Sequence, residues 1–237
     1  MENGKTYDMP DFFSHCILAE KIFEKLNEKH KRKITSASLY NLGAQGGDVF
    51  FAYNLSLKKR VNVGKLLHAL DPEKLFRRLC LGNPSYVAGF ATHYAVDSVL
   101  HPFVYDFERR AKKALSHMSF ENDLGVYLSD KFAIKRRILC PQTLSACIFP
   151  VYDTLKNALP FITVTGVERC LKRYYLYMKY NYKFKREKIK EQFDFSHLDG
   201  AIEKCIERGV SAVENVLDGE IERGDIFDGN FLSGSKL

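Results

Sequence analysis

In the segment His93-Tyr-Ala-Val-Asp97-Ser-Val-Leu-His101, three metal-ligand side chains recur every fourth residue. On an α-helix, positions i, i+4 and i+8 project from one face, drifting about 40° per step. The rest of this stretch is Tyr, Ala, Val, Ser and Leu, so Asp97 has no Lys or Arg beside it in sequence. A buried carboxylate without a partner is costly, and a cation shared with the two histidines removes that cost. His117-Met-Ser-Phe-Glu121 repeats the four-residue spacing one short loop later. Imidazole nitrogen and carboxylate oxygen are zinc ligands at about 2.0–2.2 Å. His68, on the apolar side of Val63 to Leu70, and Asp48, after the glycine turn Gly43-Ala-Gln-Gly-Gly47, can complete the shell. The chemistry this set would support is metal-assisted hydrolysis of a phosphoester.

Each residue also has a plainer reading. One histidine on an apolar helix face is ordinarily a satisfied core residue, and one His-x-x-x-Asp pair is ordinarily a hydrogen bond on the helix surface. Five histidines (His15, His68, His93, His101, His117) and three acids (Asp48, Asp97, Glu121) together point to a cation. His15 shares its face with Leu18, Ala19 and Ile22, so burial accounts for it as well as ligation does. His30 lies in the run Lys29-His-Lys-Arg-Lys33, read as a solvated stretch that repels a metal. His197 follows Phe195 near a helix start and is read as structural. Both are excluded from the site.

The elements that must position these residues read as helices. Asp11, after Pro10, can cap a helix whose apolar positions are Phe12, Leu18, Ile22, Phe23 and Leu26. Leu66 to Leu81 is expected to be helical, interrupted by Asp71-Pro72. Pro84 suits a first helical position, and Ser85 to His101 reads as an apolar helix that ends at His101, because Pro102 disfavours helical geometry there. Within it, Gly89 leaves room for another backbone to come close. Further helices are expected at about 106–115, 119–135, 143–158, 166–190 and 199–217. No run of alternating strands is present. The reading is one all-α domain over residues 1–237, its motifs within 9–125, with an irregular glycine-containing tail from about Asp218.

The chain has 237 residues, 46% of them apolar and 27% charged, an ordinary balance for a chain with a full hydrophobic core. The net charge of +7 favours anionic partners without choosing among them. Met1 to Pro10 holds no apolar signal-peptide core, and no stretch approaches the roughly 18 apolar residues that span a bilayer. The expectation is a cytoplasmic protein whose six scattered cysteines are buried free thiols. A Gly-x-Ser-x-Gly elbow, a phosphate-loop lysine and a dinucleotide fingerprint are all missing, which argues against serine-hydrolase, nucleotide-binding and redox chemistry.

Pro10-Asp-Phe-Phe-Ser-His15, Gly43 to Asp48, His68, Gly89-Phe-Ala-Thr-His93 through Asp97 to His101-Pro102, and His117 to Glu121 together resemble the zinc-dependent phospholipase C family in order and type. The single-strand-specific zinc nucleases are similar in arrangement. The resemblance covers residues 9 to 125, and the segment His-x-x-x-Asp-x-x-x-His-Pro is its most specific part. It implies an all-helical fold and a cluster of two or three zinc ions. Asp48, His68, His93 and Asp97 would bind one ion, and His101, His117 and Glu121 a second. His15 would help a bridging Asp97 hold a third, and Asp48 would orient or deprotonate the attacking water. In the secreted enzymes an amino-terminal tryptophan completes the third site. This chain has no tryptophan, so the resemblance leaves that site incomplete.

Two functions follow from the resemblance and the residues: a zinc-dependent phosphodiesterase acting on phospholipid-like or other phosphoesters, or a metal-stabilised binding protein without catalysis. The segment Lys172 to Lys190 mixes aromatic and basic residues. Such a segment can stack on nucleic acid, lie on an anionic membrane, or pack as a core helix with Tyr174, Tyr177 and Met178 inward.

Overall fold

A computed structural model describes residues 12–53, 62–111, 116–135, 139–184, 195–222 and 226–231. The side chains of 12, 111, 116–119 and 181–184 lie outside that description. Side-chain caps set several helix starts. Asn27 accepts from the His30 amide (3.1 Å), Ser36 from Leu39 (3.3 Å), and Asn62 from Lys65 (3.1 Å). Asp71 accepts from Lys74 (3.1 Å), with Pro72 in the first turn, and Thr163 accepts from Gly166 (3.1 Å). Each satisfies an amide that the first helical turn leaves without an intrahelical acceptor.

The described elements are α1 (Phe12–Lys25), α2 (Glu28–Lys33), α3 (Ala37–Gly43), a 3-10 turn (Asp48–Ala52), α4 (Val63–Ala69), α5 (Pro72–Leu79), α6 (Pro84–Ala111), α7 (Ser116–Phe132), α8 (Pro141–Leu155), α9 (Val164–Phe184), a second 3-10 turn (Ser196–Leu198) and α10 (Asp199–Asp218). Among the described residues there is no β-strand, so the chain is all-α as expected. Nor is any described helix long and apolar enough to cross a membrane.

The long helix α6 runs through the middle, touching α1, α3, α7, α8 and α10. α10 lies along it, burying Ile202, Cys205, Ile206, Ala212, Val213 and Val216. At the α3–α6 crossing a Cβ on Gly89 would stand 2.0 Å from the Tyr40 carbonyl, and one on Gly43 would stand 2.2 Å from the Tyr86 carbonyl. Only glycine permits this approach, and it carries the chain after Gly43 onto the α6 face bearing His93.

Several boundaries differ from expectation. Helix α6 does not stop at His101 but continues through Pro102 to Ala111, taking in residues 106–111 of the helix expected at 106–115, of which 112–115 lie outside the described residues. Proline inside a helix costs about 3 kcal/mol. Leu100, His101 and Val104 around it are all buried, and stopping at His101 would take Val104 out of the core, so packing overrides the local preference. The expected interruption of Leu66 to Leu81 at Asp71-Pro72 is present and divides the segment into α4 and α5, with Asp71 capping the second. Two short helices, α2 and α3, were not anticipated. Residues 185–190 of the expected 166–190 helix lie outside the described residues. None of the six cysteines forms a disulfide, but only Cys147, Cys170 and Cys205 are buried as expected; Cys16 and Cys80 are half-buried and Cys140, at the start of α8, is exposed. The tail after α10 is irregular where described, yet it is not loose: Phe227 and Phe231 are each about 1% exposed.

Candidate metal centre

Five elements deliver the cluster. α1 brings His15, the 3-10 turn brings Asp48, α4 brings His68, α6 brings His93, Asp97 and His101, and α7 brings Glu121. Every one of these side chains is buried, from His93 at 0% to His101 at 7%. His117 is on α7, with its side chain outside the described residues. Two of the histidines are aimed by backbone carbonyls. His68 Nδ1 donates to Gly64 O (2.8 Å) and His101 Nδ1 donates to Phe231 O (3.0 Å), which turns both Nε2 atoms inward. Orientation of this kind, through the distal ring nitrogen, is usual for metal-binding histidine. Gly46, at φ +49°, passes so close to the His93 ring that a Cβ would lie 1.9 Å from His93 Cδ2.

The inward atoms form a tight set. His68 Nε2 and His93 Nε2 are 3.2 Å apart. Asp97 Oδ2 lies 3.1 Å from His93 Nε2 and 3.4 Å from His68 Nε2. A tetrahedron with bonds of about 2.05 Å has edges of about 3.3 Å, so this triangle has the dimensions of one face of a zinc site. Asp48 Oδ1 is 3.2 Å from His68 Nε2. The other oxygen of Asp97 faces the opposite way, 3.4 Å from His15 Nε2 and 3.9 Å from His101 Nε2. Asp97 thus stands between two groups of histidines. His15, Asp48 and His93 make a second set whose ligand atoms lie within 4.8 Å of one another.

Hydrogen bonding alone does not account for this arrangement. His15 Nδ1, His93 Nδ1 and Asp97 Oδ2 are buried without a hydrogen-bond partner, a state that native interiors rarely tolerate. Among the described residues no Lys or Arg forms an ion pair with Asp48 or Asp97. A divalent ion can be held by the inward-facing atoms, since it would neutralise both carboxylates, satisfy Asp97 Oδ2 and take the Nε2 lone pairs of His68 and His93.

The electrostatics follow from burial opposed by neighbours. Burial acts to raise the Asp97 carboxyl, but His93, His101, His68 and His15 together hold it well below the carboxylate range. Asp48 is also lowered: burial raises it, and His93 and His68 outweigh that. His68 goes the other way. Burial acts to lower it, yet the Asp48 and Asp97 carboxylates push it up to about 10. For His93 burial prevails over both carboxylates and depresses it to about 4. Both aspartates are therefore ionised at neutral pH, one histidine is proton-loaded and one is neutral.

The structure brings together His15, Asp48, His68, His93, Asp97 and His101, and it buries Glu121 on the neighbouring helix. Gly89 admits a close backbone, as its position in the sequence implied. Two features were missed. His30 is not solvated: it is 4% exposed, with its ring between Glu214 and Asp218. The irregular tail also belongs to the site. The Tyr94 hydroxyl sits between the carbonyls of Ile226 and Gly229 (2.9 and 2.7 Å), and Phe231 packs on Tyr94, His68 and His93. The four-residue spacing of Phe227 and Phe231 was the available signal. No family model matches the chain, and no curated protein or solved structure matches it.

Proposed function

We propose that this protein is a zinc-dependent phosphoester hydrolase whose all-α fold is of the phospholipase C and zinc nuclease type. One observation carries the reading: His68 Nε2, His93 Nε2 and Asp97 Oδ2 converge at 3.1–3.4 Å in a buried cluster where two carboxylates meet no Lys or Arg among the described residues. In this reading Asp48, His68, His93 and Asp97 hold one ion, His101, His117 and Glu121 a second, and His15 with bridging Asp97 a third. Zinc would supply charge to offset that of the phosphoester and a water acidified towards neutral pH. In the same reading Asp48, 3.2 Å from His68, would orient or deprotonate that water. His68 and His101 keep their Nε2 atoms inward because their Nδ1 protons are engaged by backbone carbonyls. Mixed histidine and carboxylate donors without cysteine favour a catalytic over a purely structural ion.

Burial of every ligand whose side chain is described, with Phe231 across His68 and His93, favours a second reading: an ion that locks α1, α4, α6 and the tail together without turnover. Elemental analysis of untagged protein, paired with hydrolysis of a chromogenic phosphodiester, separates the two. Two or three zinc equivalents with chelator-sensitive turnover support the hydrolase. Tightly bound zinc without turnover on lipid or nucleic-acid phosphodiesters supports the locked structure, and protein that takes up no metal after reconstitution overturns both.

A further inference from the structure

Helix α9 buries Val167, Cys170, Leu171, Tyr174 and Met178, and its other face is open. Arg169, Lys172, Arg173, Leu176, Lys179 and Tyr180 are all exposed. At 100° per residue they fall within an arc of about 120°. Leu176 is 61% exposed and Tyr180 62%, both inside that cationic arc. Phe149 on α8 and Phe161 in the α8–α9 turn are exposed at 64% and 46%. Four of the seven large exposed hydrophobics among the described residues are thus on this one hairpin, which is a concentration rather than the usual scatter. Within Val164–Phe184 the only acid is Glu168, which pairs with Lys172 (2.7 Å).

We propose that this face of α9 docks on an anionic lipid surface. An interfacial helix sets apolar side chains below a row of Lys and Arg, so that one group enters the acyl boundary while the other meets phosphate. Cations alone would fit a nucleic acid equally well. Leu176 decides between them, because an exposed aliphatic side chain gains nothing from phosphates or base edges but is stabilised in the acyl boundary. Tyrosine at the rim of such a face has both an apolar body and a polar tip for the headgroup layer. The helix is also tied to the metal centre. Arg173 Nη1 donates to Ala52 O (3.1 Å), and the Thr163 amide donates to the Tyr53 hydroxyl (3.1 Å), so α9 braces the turn that begins at Asp48. Docking itself does not require the metal and stands apart from the hydrolase reading.

Co-sedimentation with vesicles, in the presence of chelator, tests docking without the metal centre. The probes are vesicles of phosphatidylcholine alone and of phosphatidylcholine mixed with phosphatidylglycerol. The expected result is binding to the mixed vesicles only, reversed by salt. Arg169→Gln, Lys172→Gln and Lys179→Gln should each weaken partitioning about fivefold. Leu176→Ser with Tyr180→Ser should weaken it at least tenfold, with thermal unfolding unchanged. Arg173 is left intact because it holds Ala52. Failure of the wild-type protein to bind anionic vesicles overturns the proposal, as does equal binding to neutral ones. It is also overturned if the serine pair binds as wild type while a single-stranded oligonucleotide displaces the vesicles, which would make this a nucleic-acid surface. Should a variant unfold, the wild-type comparison of the two vesicle types and its salt dependence still decide.

Discussion

At the contact between α2 and α10, His30 meets Glu214 through Nδ1 (3.1 Å) and Asp218 through Nε2 (2.9 Å), and Lys29 and Lys33 reach Asp218 as well (2.9 and 2.6 Å). Against α6, His15, His68, His93 and His101 surround Asp97, and Asp48 stands beside them. Both places bury histidine against carboxylates. In the first, each ring nitrogen has its own carboxylate, lysines balance the charge, and Glu214 and Asp218 keep 30% and 24% of their side chains in water. In the second, nitrogen faces nitrogen, no Lys or Arg among the described residues pairs with either aspartate, and three buried polar atoms lack a hydrogen bond. Residue types alone do not mark a candidate metal site; a surplus of donors that the described residues do not satisfy from within does.

The strongest way to break this comparison is to remove the shared carboxylate. Asp97→Asn should weaken zinc binding by at least about a hundredfold, beyond what substitutions outside the ligand shell cost, and on the proposed hydrolase reading turnover should fall with it. Zinc titration and elemental analysis after gel filtration report the change, and circular dichroism reports whether the fold persists. Retention of full zinc stoichiometry by the variant would sink the central role given to Asp97.

Close behind comes the backbone that lies against His93. Gly46→Ala puts a Cβ into the His93 ring and strains a left-handed residue, a cost of about 2–3 kcal/mol. Urea denaturation should show that loss, and zinc affinity should drop at least tenfold as the ring is displaced. A variant with wild-type stability and affinity would mean that the turn yields freely and does not position the ligand.

How much of this could be read beforehand depended on whether the signal was local. The His93–Asp97–His101 face was legible because helical spacing fixes it without tertiary information, and Gly89 was legible because a glycine in an apolar helix implies close approach. The end of α6 was misread for the opposite reason: the preference of the residue before Pro102 is local, but the burial of Val104 is not. His30 was misread similarly. Its sequence neighbours are all cationic, and the carboxylates that enclose it come from α10, more than 180 residues away. The tail's contribution, with Phe231 O accepting from His101, depends on a contact 130 residues apart.

Changing pH sharpens the contrast without altering the chain. In the metal-free protein His68 is raised from 6.5 to about 10. Its contribution to stability is therefore complete below 6.5 and is lost as pH rises through about 10. A metal must displace that same proton, so zinc affinity should climb by about tenfold per unit between those limits. His93, depressed to about 4, carries no proton to displace in this window. Competition with a zinc-binding dye across the range measures the slope. A flat profile would mean that His68 is not a ligand.

The smallest expected effect is at the other cluster. His30→Gln keeps the position polar and removes the imidazole held by Glu214 and Asp218. Because those carboxylates are partly solvated and keep Lys29, Lys33 and Asn27 as partners, they are not left stranded, and the loss should be about 1 kcal/mol. It should also shrink as salt is added, since part of the network lies at the surface. Zinc stoichiometry and affinity should match wild type, because among the described residues no hydrogen bond or ion pair joins this cluster to α1, α4 or the Asp48 turn. Thermal unfolding at two salt concentrations and a zinc titration check both halves. If His30→Gln lowered zinc content as Asp97→Asn does, the two clusters would not be independent, and the division between an internally balanced network and a site that needs an ion would fail.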